Sequence, residues 1–456
     1  MVLKSVDALI DALCKTQILS DDQLHVLTSQ IAPKYSDPQD LAKHLVHIGW
    51  LTLYQAKKLI SGHGAELVLG HFVVLDKLGE GGMGKVYKAL QLRLNRIVAL
   101  KVVRPHLLAN EMALKRFHRE AKAAAQLTHP NIVRLFDADQ AGERHFLAME
   151  FIEGIDLTKL VKETGPLPIG MACSFMRQAA MGLQHAHDRG LVHRDIKPSN
   201  LFVSSPSTTG KKVTGGIIKI LDMGLARAMT QADDDSVLTA LTQDGAVIGT
   251  PDFMSPEQGR NSSDVDARSD LYSLGCTLYY LLAAQTPFPH GTTLEKLLQH
   301  QIDPPPHINL MRPDVPEGVA RLIHCLLEKD PDNRYQTGDE LAKALEAWSV
   351  FDPSNQRLTA SGKHPRPDIV PQALLLPMPS ESEEIVEEAE REPFNFDSVM
   401  EPMPSEADSS QMDSQAESVA GLPAQNGTRW WFVFSVALAT FAIGGILAVK
   451  HFAGSR

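Results

Sequence analysis

The feature that most constrains this 456-residue chain is a glycine run with strand-like sequence on both sides. Gly79-Glu80-Gly81-Gly82-Met83-Gly84 closely follows the apolar stretch Phe72-Val73-Val74-Leu75 and precedes Lys85-Val86-Tyr87-Lys88-Ala89. Glycine has no Cβ, so its backbone N–H groups can approach a polyphosphate closely. Dinucleotide-binding folds use the same G-x-G-x-x-G spacing, but there a helix opens directly after the glycines. Here a second strand continues instead, and a third, Ile97-Val98-Ala99-Leu100-Lys101, ends in a lysine.

Further groups follow in a fixed order. Arg116 to Leu127 has helical spacing and carries Glu120 in Phe117-His118-Arg119-Glu120, shortly before His129-Pro130-Asn131-Ile132-Val133. His193-Arg194-Asp195-Ile196-Lys197-Pro198-Ser199-Asn200 is the most specific segment. Ile218-Lys219-Ile220-Leu221 reads as a strand that delivers Asp222-Met223-Gly224. Ser255-Pro256-Glu257 and Ser269-Asp270-Leu271-Tyr272-Ser273-Leu274-Gly275 come next. On these residues, 72–348 resembles a Hanks-type (eukaryotic-like) bacterial serine/threonine protein kinase, an α+β bilobal fold.

The resemblance implies ATP as cofactor, with Mg2+ (or Mn2+), and a role for each matched residue. Leu78, Gly79, Gly81, Gly84 and Val86 would enclose the nucleotide. Lys101 would hold its α/β-phosphates, and Glu120 would pair with Lys101 once its helix docks, which makes the pair a switch. Met149 falls at the gatekeeper position, Glu150 to Ile152 would bind adenine through backbone groups, and Asp156 would contact the ribose. Asp195 would take or orient the substrate hydroxyl proton, Lys197 would neutralise the transferring phosphoryl group, and Asn200 and Asp222 would hold magnesium. Phosphoryl transfer needs positioning and charge neutralisation more than covalent chemistry, so these groups must surround one phosphate. Lys197, two residues after Asp195, resembles serine/threonine rather than tyrosine kinases. Glu257 would pair with Arg334, and Asp270 would anchor the catalytic loop.

The sequence departs from the family pattern in places. Met223 replaces the usual Phe, and Ser255 the commoner Ala. Ser236, Thr239 and Thr242 are the candidate phospho-acceptors of the activation segment, whose phosphate Arg194 would receive. Asp244 stands where a second threonine is common. Residues 204–212 read as an exposed insertion. An active kinase that phosphorylates itself in trans is the leading expectation; a pseudokinase scaffold, or a docking protein led by the N-terminal helices, is the alternative.

The flanking regions are read from composition and periodicity. Residues 13–24 and 45–56 repeat at an offset of 32, each with a Ser or Thr followed three residues later by Gln. That is a capping box, so 1–65 is expected to be a small all-α module of unknown role, with Trp50 and the leucines as its core. The net charge of −11 sits in 349–428, which holds 15 Asp/Glu against 4 Lys/Arg; the rest is balanced, and nothing points to nucleic acid. This Pro/Ser/Glu-rich stretch is expected to be a disordered linker spanning on the order of 50 Å. The four cysteines are widely spaced and suggest neither a disulfide scaffold nor a zinc site. No secretory signal opens the chain. Trp430 to Val449 is an uncharged run of about 30 Å as a helix, expected to be a transmembrane segment followed by the short tail 450–456. Lys450 and Arg456 favour the opposite orientation on charge alone. ATP nevertheless requires the kinase domain to be cytoplasmic, on a single-pass inner-membrane protein. Protein substrates with Ser or Thr acceptors, the membrane and a second copy are the expected partners.

Overall fold

The computed structural model describes residues 3–204, 216–223, 251–260 and 265–350. The chain divides into two compact units, Met1–Phe394 and Asn395–Arg456, and all described residues belong to the first. The linker after Val350, the apolar run 430–449, the tail 450–456, the insertion from 205 onward, and Ser236, Thr239, Thr242 and Asp244 lie outside the described residues. Among the described residues no helix is long and apolar enough to cross a membrane.

The N-terminal segment is all-α, as its caps predict. α1 (Val6–Thr16) opens on Ser5, whose hydroxyl accepts from Ala8 N, and buries Leu9 and Leu13. α2 (Asp21–Val26) and α4 (Leu53–Ile60) open on the two capping boxes of the repeat, Ser20 with Gln23 and Thr52 with Gln55. Each box satisfies N–H groups that a helix start leaves without an internal partner. α3 (Pro38–His47) is capped by Asp37. Leu9, Leu13, Leu27, Leu41, Leu45 and Leu59 form the buried centre. Trp50, expected among them, is only partly buried. Gly49 turns the chain at φ 72°, and Trp50 follows in the loop, its N–H donated to Leu45 O, rather than on a helix face.

The smaller lobe of the following region is a six-stranded antiparallel sheet in the order β1-β2-β3-β4-β6-β5. Its strands are β1 (Val68–Leu69), β2 (Phe72–Gly81), β3 (Gly84–Gln91), β4 (Arg96–Val103), β5 (Leu135–Ala141) and β6 (Arg144–Glu150). The glycine run is the β2–β3 turn. Gly84 has φ 153°, and a Cβ there would lie 2.0 Å from Val102 O, so the turn requires glycine at this position. α5 (Glu111–Ala124) carries Glu120 and buries Ala113, Phe117, Ala121 and Ala124, a single face at helical spacing.

The larger lobe is mostly helical. A small sheet, β7 (Gly154–Asp156), β8 (Leu201–Ser204) and β9 (Ile217–Ile220), precedes the Asp222 segment. α6 (Leu157–Thr164) follows β7 directly, and α7 (Ile169–His187) runs through the core. Asn131 ties the lobes together: its carbonyl accepts from Ile220 N, and its buried Nδ2 donates to Ile218 O. Beyond the site lie α8 (Pro256–Arg260), α9 (Ala267–Ala283), α10 (Thr293–Ile302), α11 (Glu317–Leu326) and α12 (Gly338–Glu346). α9 is buried on most sides, which its run Leu271-Tyr272-Ser273-Leu274-Gly275-Cys276 allows.

Arg334 and Glu257 form a two-pronged pair at 2.8 and 2.9 Å, and Ser269 donates a third hydrogen bond to Glu257. The Arg334 side chain is fully enclosed. Burial raises the Glu257 carboxyl, but Arg334 outweighs it and holds the group below its ordinary 4.5. Removing one partner of such a pair strands the other charge. Arg334→Met should therefore cost about 3–5 kcal/mol, read as a lower urea midpoint. A depressed folded-state carboxyl contributes stability above its unfolded value, lost as pH falls through the folded one. The gap between wild type and Glu257→Gln should thus be full at pH 7 and shrink on acidification below about 4.5.

Candidate active site

The segment 193–200 is held by one carboxylate from α9. Asp270 is fully buried and accepts from His193 N at 2.8 Å, Arg194 N at 2.7 Å and His187 Nε2 at 2.8 Å. Burial raises its carboxyl, and His187, with His193, more than compensates, so it stays ionised below the usual range. These bonds fix Arg194 in the left-handed region at φ 68°, a strained conformation for a residue with a side chain. Gln258 Nε2 adds a bond to Arg194 O at 2.7 Å. His193 points the other way: its Nδ1 accepts from Asp195 N, so its Nε2 carries the proton donated to Leu221 O at 2.7 Å. That bond joins the 193–200 loop to the Asp222 segment.

Asp195 sits between two donors. Lys197 Nζ lies 2.9 Å from its Oδ2, and Asn200 Nδ2 reaches both its Oδ2 at 3.0 Å and its carbonyl at 2.7 Å. Asn200 thereby spends its amide hydrogens on Asp195 and keeps Oδ1 as an acceptor. The Asn200 carbonyl also takes Leu221 N at 2.9 Å, which brings Asp222 alongside. Asp222 has φ 56°, and Met223 behind it is 5% exposed within the main core, where an apolar side chain of that size fits.

Lys101 comes from β4 and is almost fully buried. Its ammonium pairs with Asp222 Oδ2 at 2.7 Å and lies 3.7 Å from Met83 Sδ of the glycine run. Burial raises the Asp222 carboxyl, and Lys101, aided by His193 and Lys197, holds it below its usual value. The expected Lys101–Glu120 pair is absent from this arrangement. Glu120 instead binds Arg119 Nη2 at 2.8 Å and faces a cavity of about 340 Å³ lined also by Arg189 and Arg194. The two carboxylates are satisfied apart: Asp222 lies against the buried ammonium, and Glu120 bonds to Arg119 on its own helix.

Two further residues carry other bonds than those expected. Glu150 ends β6; its N–H goes to Arg134 O and its carboxylate to Lys219 at 2.8 and 3.0 Å. It thus has no amide hydrogen left for a nucleotide, and Ile152, partly buried, follows it. Asp156 caps α6, accepting from Lys159 N at 2.9 Å, with Lys159 Nζ 3.6 Å from its other oxygen. Gly79 and Gly81 are exposed at the turn, as is Leu78, while Val86 is partly buried on β3. Sequence reading passed over Arg104, whose guanidinium donates to Gly81 O at 3.2 Å while its N–H holds Met83 O. It also passed over Arg119, because neighbours one residue apart on a helix do not normally face each other. For Arg104 a signal was present: a cation three residues after Lys101, at the end of the same strand.

The donor set suits a hard cation shared with phosphates. Among the described residues no three His, Cys, Asp or Glu side chains cluster as a metal cage. Magnesium needs none, because it keeps waters and takes one or two protein oxygens beside substrate phosphates. Asn200 Oδ1 and the Asp222 carboxylate are oxygens of that kind.

Comparison with known proteins follows the same lines. The family described as "Protein kinase domain" matches residues 72–345. The chain is 37% identical over 308 residues to "Serine/threonine-protein kinase pkn3" of Myxococcus xanthus, covering 67% of this chain and 54% of that protein. It is 37% identical over 274 residues to "Serine/threonine-protein kinase PknB" of Mycobacterium leprae, covering 59% of this chain and 42% of that one. The chain thus spans about half the length of the curated relatives it matches.

The Lys101–Asp222 pair gives a direct check on the site's electrostatics. Lys101→Met leaves burial opposed only by Lys197 and the His193 ring. The Asp222 carboxyl should then titrate higher than in wild type, by about one pH unit or more, in carboxyl-detected NMR. An unmoved titration would mean that the lysine does not govern this carboxylate.

Proposed function

This chain belongs to the protein kinase family, and from that membership we propose that it is an ATP-dependent serine/threonine kinase acting on protein hydroxyls. The observation that carries this reading is the continuous set of contacts joining Lys101, Asp222, Asn200, Asp195 and Lys197 through Leu221 and His193. Ammonium, carboxylates and amide thus lie along one chain of contacts, with Met83 of the glycine run 3.7 Å from the Lys101 ammonium.

In the proposed reaction Asp195 receives the proton of a Ser or Thr hydroxyl as its oxygen bonds to the γ-phosphorus. The bond to the bridging oxygen breaks and its electron pair leaves with ADP. Lys197, already beside Asp195, neutralises charge on the phosphoryl oxygens in flight. Lys101 serves the α/β-phosphates, for which it must release Asp222. Asp222 and Asn200 would hold the magnesium, which would neutralise phosphate charge when bound. Glu120 receives Lys101 when α5 moves inward, which requires it to leave Arg119. Leu78, Val86, Ile152 and Asp156 complete the nucleotide site on this reading, and Glu150 contributes other than by its N–H.

The same proposal extends beyond the described residues. The run 430–449 anchors the protein in the inner membrane with the kinase domain cytoplasmic, where ATP and magnesium are found. The acidic linker lets tethered copies meet, so that Ser236, Thr239 or Thr242 is modified in trans. A phosphate there would face the arginine set around Arg194.

Asp195→Ala separates transfer from mere nucleotide binding. It should lower phosphorylation of a Ser/Thr peptide by about 10²–10⁴-fold with ATP affinity kept. Undiminished transfer would remove the catalytic assignment, and intact signalling without transfer would favour a scaffold. Arg119→Ala frees Glu120 from an exposed ion pair worth up to about 1 kcal/mol. Basal kcat/KM should rise by up to about fivefold. A fall would mean that Arg119 supports the active arrangement rather than opposing it.

A further inference from the structure

Strand β2, which runs into the glycine turn, carries a bulge. Val74 pairs with Ala89 and Asp76 with Lys88, so Leu75 is the extra residue. A bulged residue drops out of the ladder, and its backbone groups must find partners elsewhere. The Leu75 carbonyl, and that of the ladder residue Val74 before it, find theirs in the N-terminal module. The Thr52 hydroxyl donates to Leu75 O at 2.5 Å, and Gln55 Nε2, on a side chain only 2% exposed, donates to Val74 O at 2.8 Å.

Both side chains do this while forming the capping box of α4. Thr52 Oγ1 accepts from Gln55 N at 3.1 Å, and Gln55 Oε1 accepts from Thr52 N at 2.9 Å. Each therefore faces its own helix with an acceptor and β2 with a donor. Phe72, Val73 and Val74 are all buried, so both faces of the strand are covered at this point. Tyr54 of α4 also lies against Tyr87 of β3, ring centres 6.3 Å apart, where Tyr87 pairs with Lys77 just before a second register shift between Lys77 and Gly79. The first copy of the repeat differs. Ser20 and Gln23 make the same box, but it is exposed and, among the described residues, its side chains bond only within the box.

We propose that Thr52 and Gln55 are positioning residues for nucleotide binding. Through Val74 and Leu75 they fix where β2 delivers Gly79–Gly84, and they make the N-terminal helices a working part of the catalytic lobe. The proposal rests on the kinase reading above, and the exposed box of the first copy supplies its control. Gln55→Glu keeps an oxygen for Thr52 N, hence the cap, and loses the donor to Val74 O. Gln23→Glu makes the same change where nothing is docked. Thr52→Val removes the hydroxyl, and Thr52→Ser restores it.

In the full chain, steady-state kinetics and hydrogen exchange are measured together. Loss of a buried hydrogen bond should raise KM for ATP about tenfold in Gln55→Glu and Thr52→Val, with kcat within about twofold. Thr52→Ser and Gln23→Glu should match wild type. The amides of residues 79–84 should exchange faster in the first pair only. Unchanged KM and unchanged exchange, with a lowered melting temperature alone, would overturn the proposal and leave these residues as a structural staple. Should Gln55→Glu fail to fold, Thr52→Val against Thr52→Ser decides. A wild type that transfers no phosphate would defeat the kinase reading, while the exchange comparison would still decide the positioning role.

Discussion

The buried carboxylate of Asp270 is the constraint on which the site depends. A charge removed from water is costly unless donors surround it, and here two backbone N–H groups and one imidazole do so. Those same N–H groups belong to His193 and Arg194, so satisfying the carboxylate and shaping the 193–200 loop are one event. The left-handed Arg194 is tolerated because its N–H and carbonyl are both engaged. From there the loop has little freedom. Asn200 closes onto Asp195, and His193 closes onto Leu221, which fixes the position of Asp222. α9, which has no chemistry of its own, thus sets the position of most of the groups that do.

Against this fixed frame, the cations have a choice. Lys101 has one ammonium and two candidate carboxylates, Asp222 and Glu120. In the present arrangement Asp222 holds it, and Glu120 is occupied by Arg119. The two pairs are unequal in kind. Lys101 and Asp222 are largely shielded from water, whereas Arg119 is mostly exposed, so the second pair is weak and easily exchanged. A nucleotide with its metal would compete for Asp222 and Lys101 at once. The exchange of partners therefore costs most at the buried pair and least at the helix, which suits a lobe whose helix moves as a unit.

Much of this was legible in the order of residues. The octapeptide around Asp195 and the glycine run between strands specify groups that only one chemistry needs together. Both capping boxes were legible too, because a cap is a local hydrogen-bond pattern that spacing alone encodes. What was not legible depended on distance in space. The sequence pattern pairs Glu120 with Lys101, yet which carboxylate holds an ammonium is decided by tertiary placement. An indole beside leucines suggests a core position for Trp50, but the turn at Gly49 leaves it in a loop. Glu150 looked like backbone-only hinge, and its carboxylate turned out to belong to Lys219.

The sharpest case is the pair Thr52 and Gln55. Their local role accounts for their identity so fully that nothing in the sequence asks for a second one. Ser20 and Gln23 have the same chemistry and the same spacing and do only the local job. The difference lies in β2, whose bulge leaves a carbonyl that the ladder cannot use. A bulge in an edge-side strand is a liability unless something covers it. Here β1 covers the strand only as far as Val73, and the capped start of α4 takes over at Val74 and Leu75. The irregularity of the strand and the docking of the helix are then two sides of one solution. The glycine turn a few residues further on inherits its placement from both.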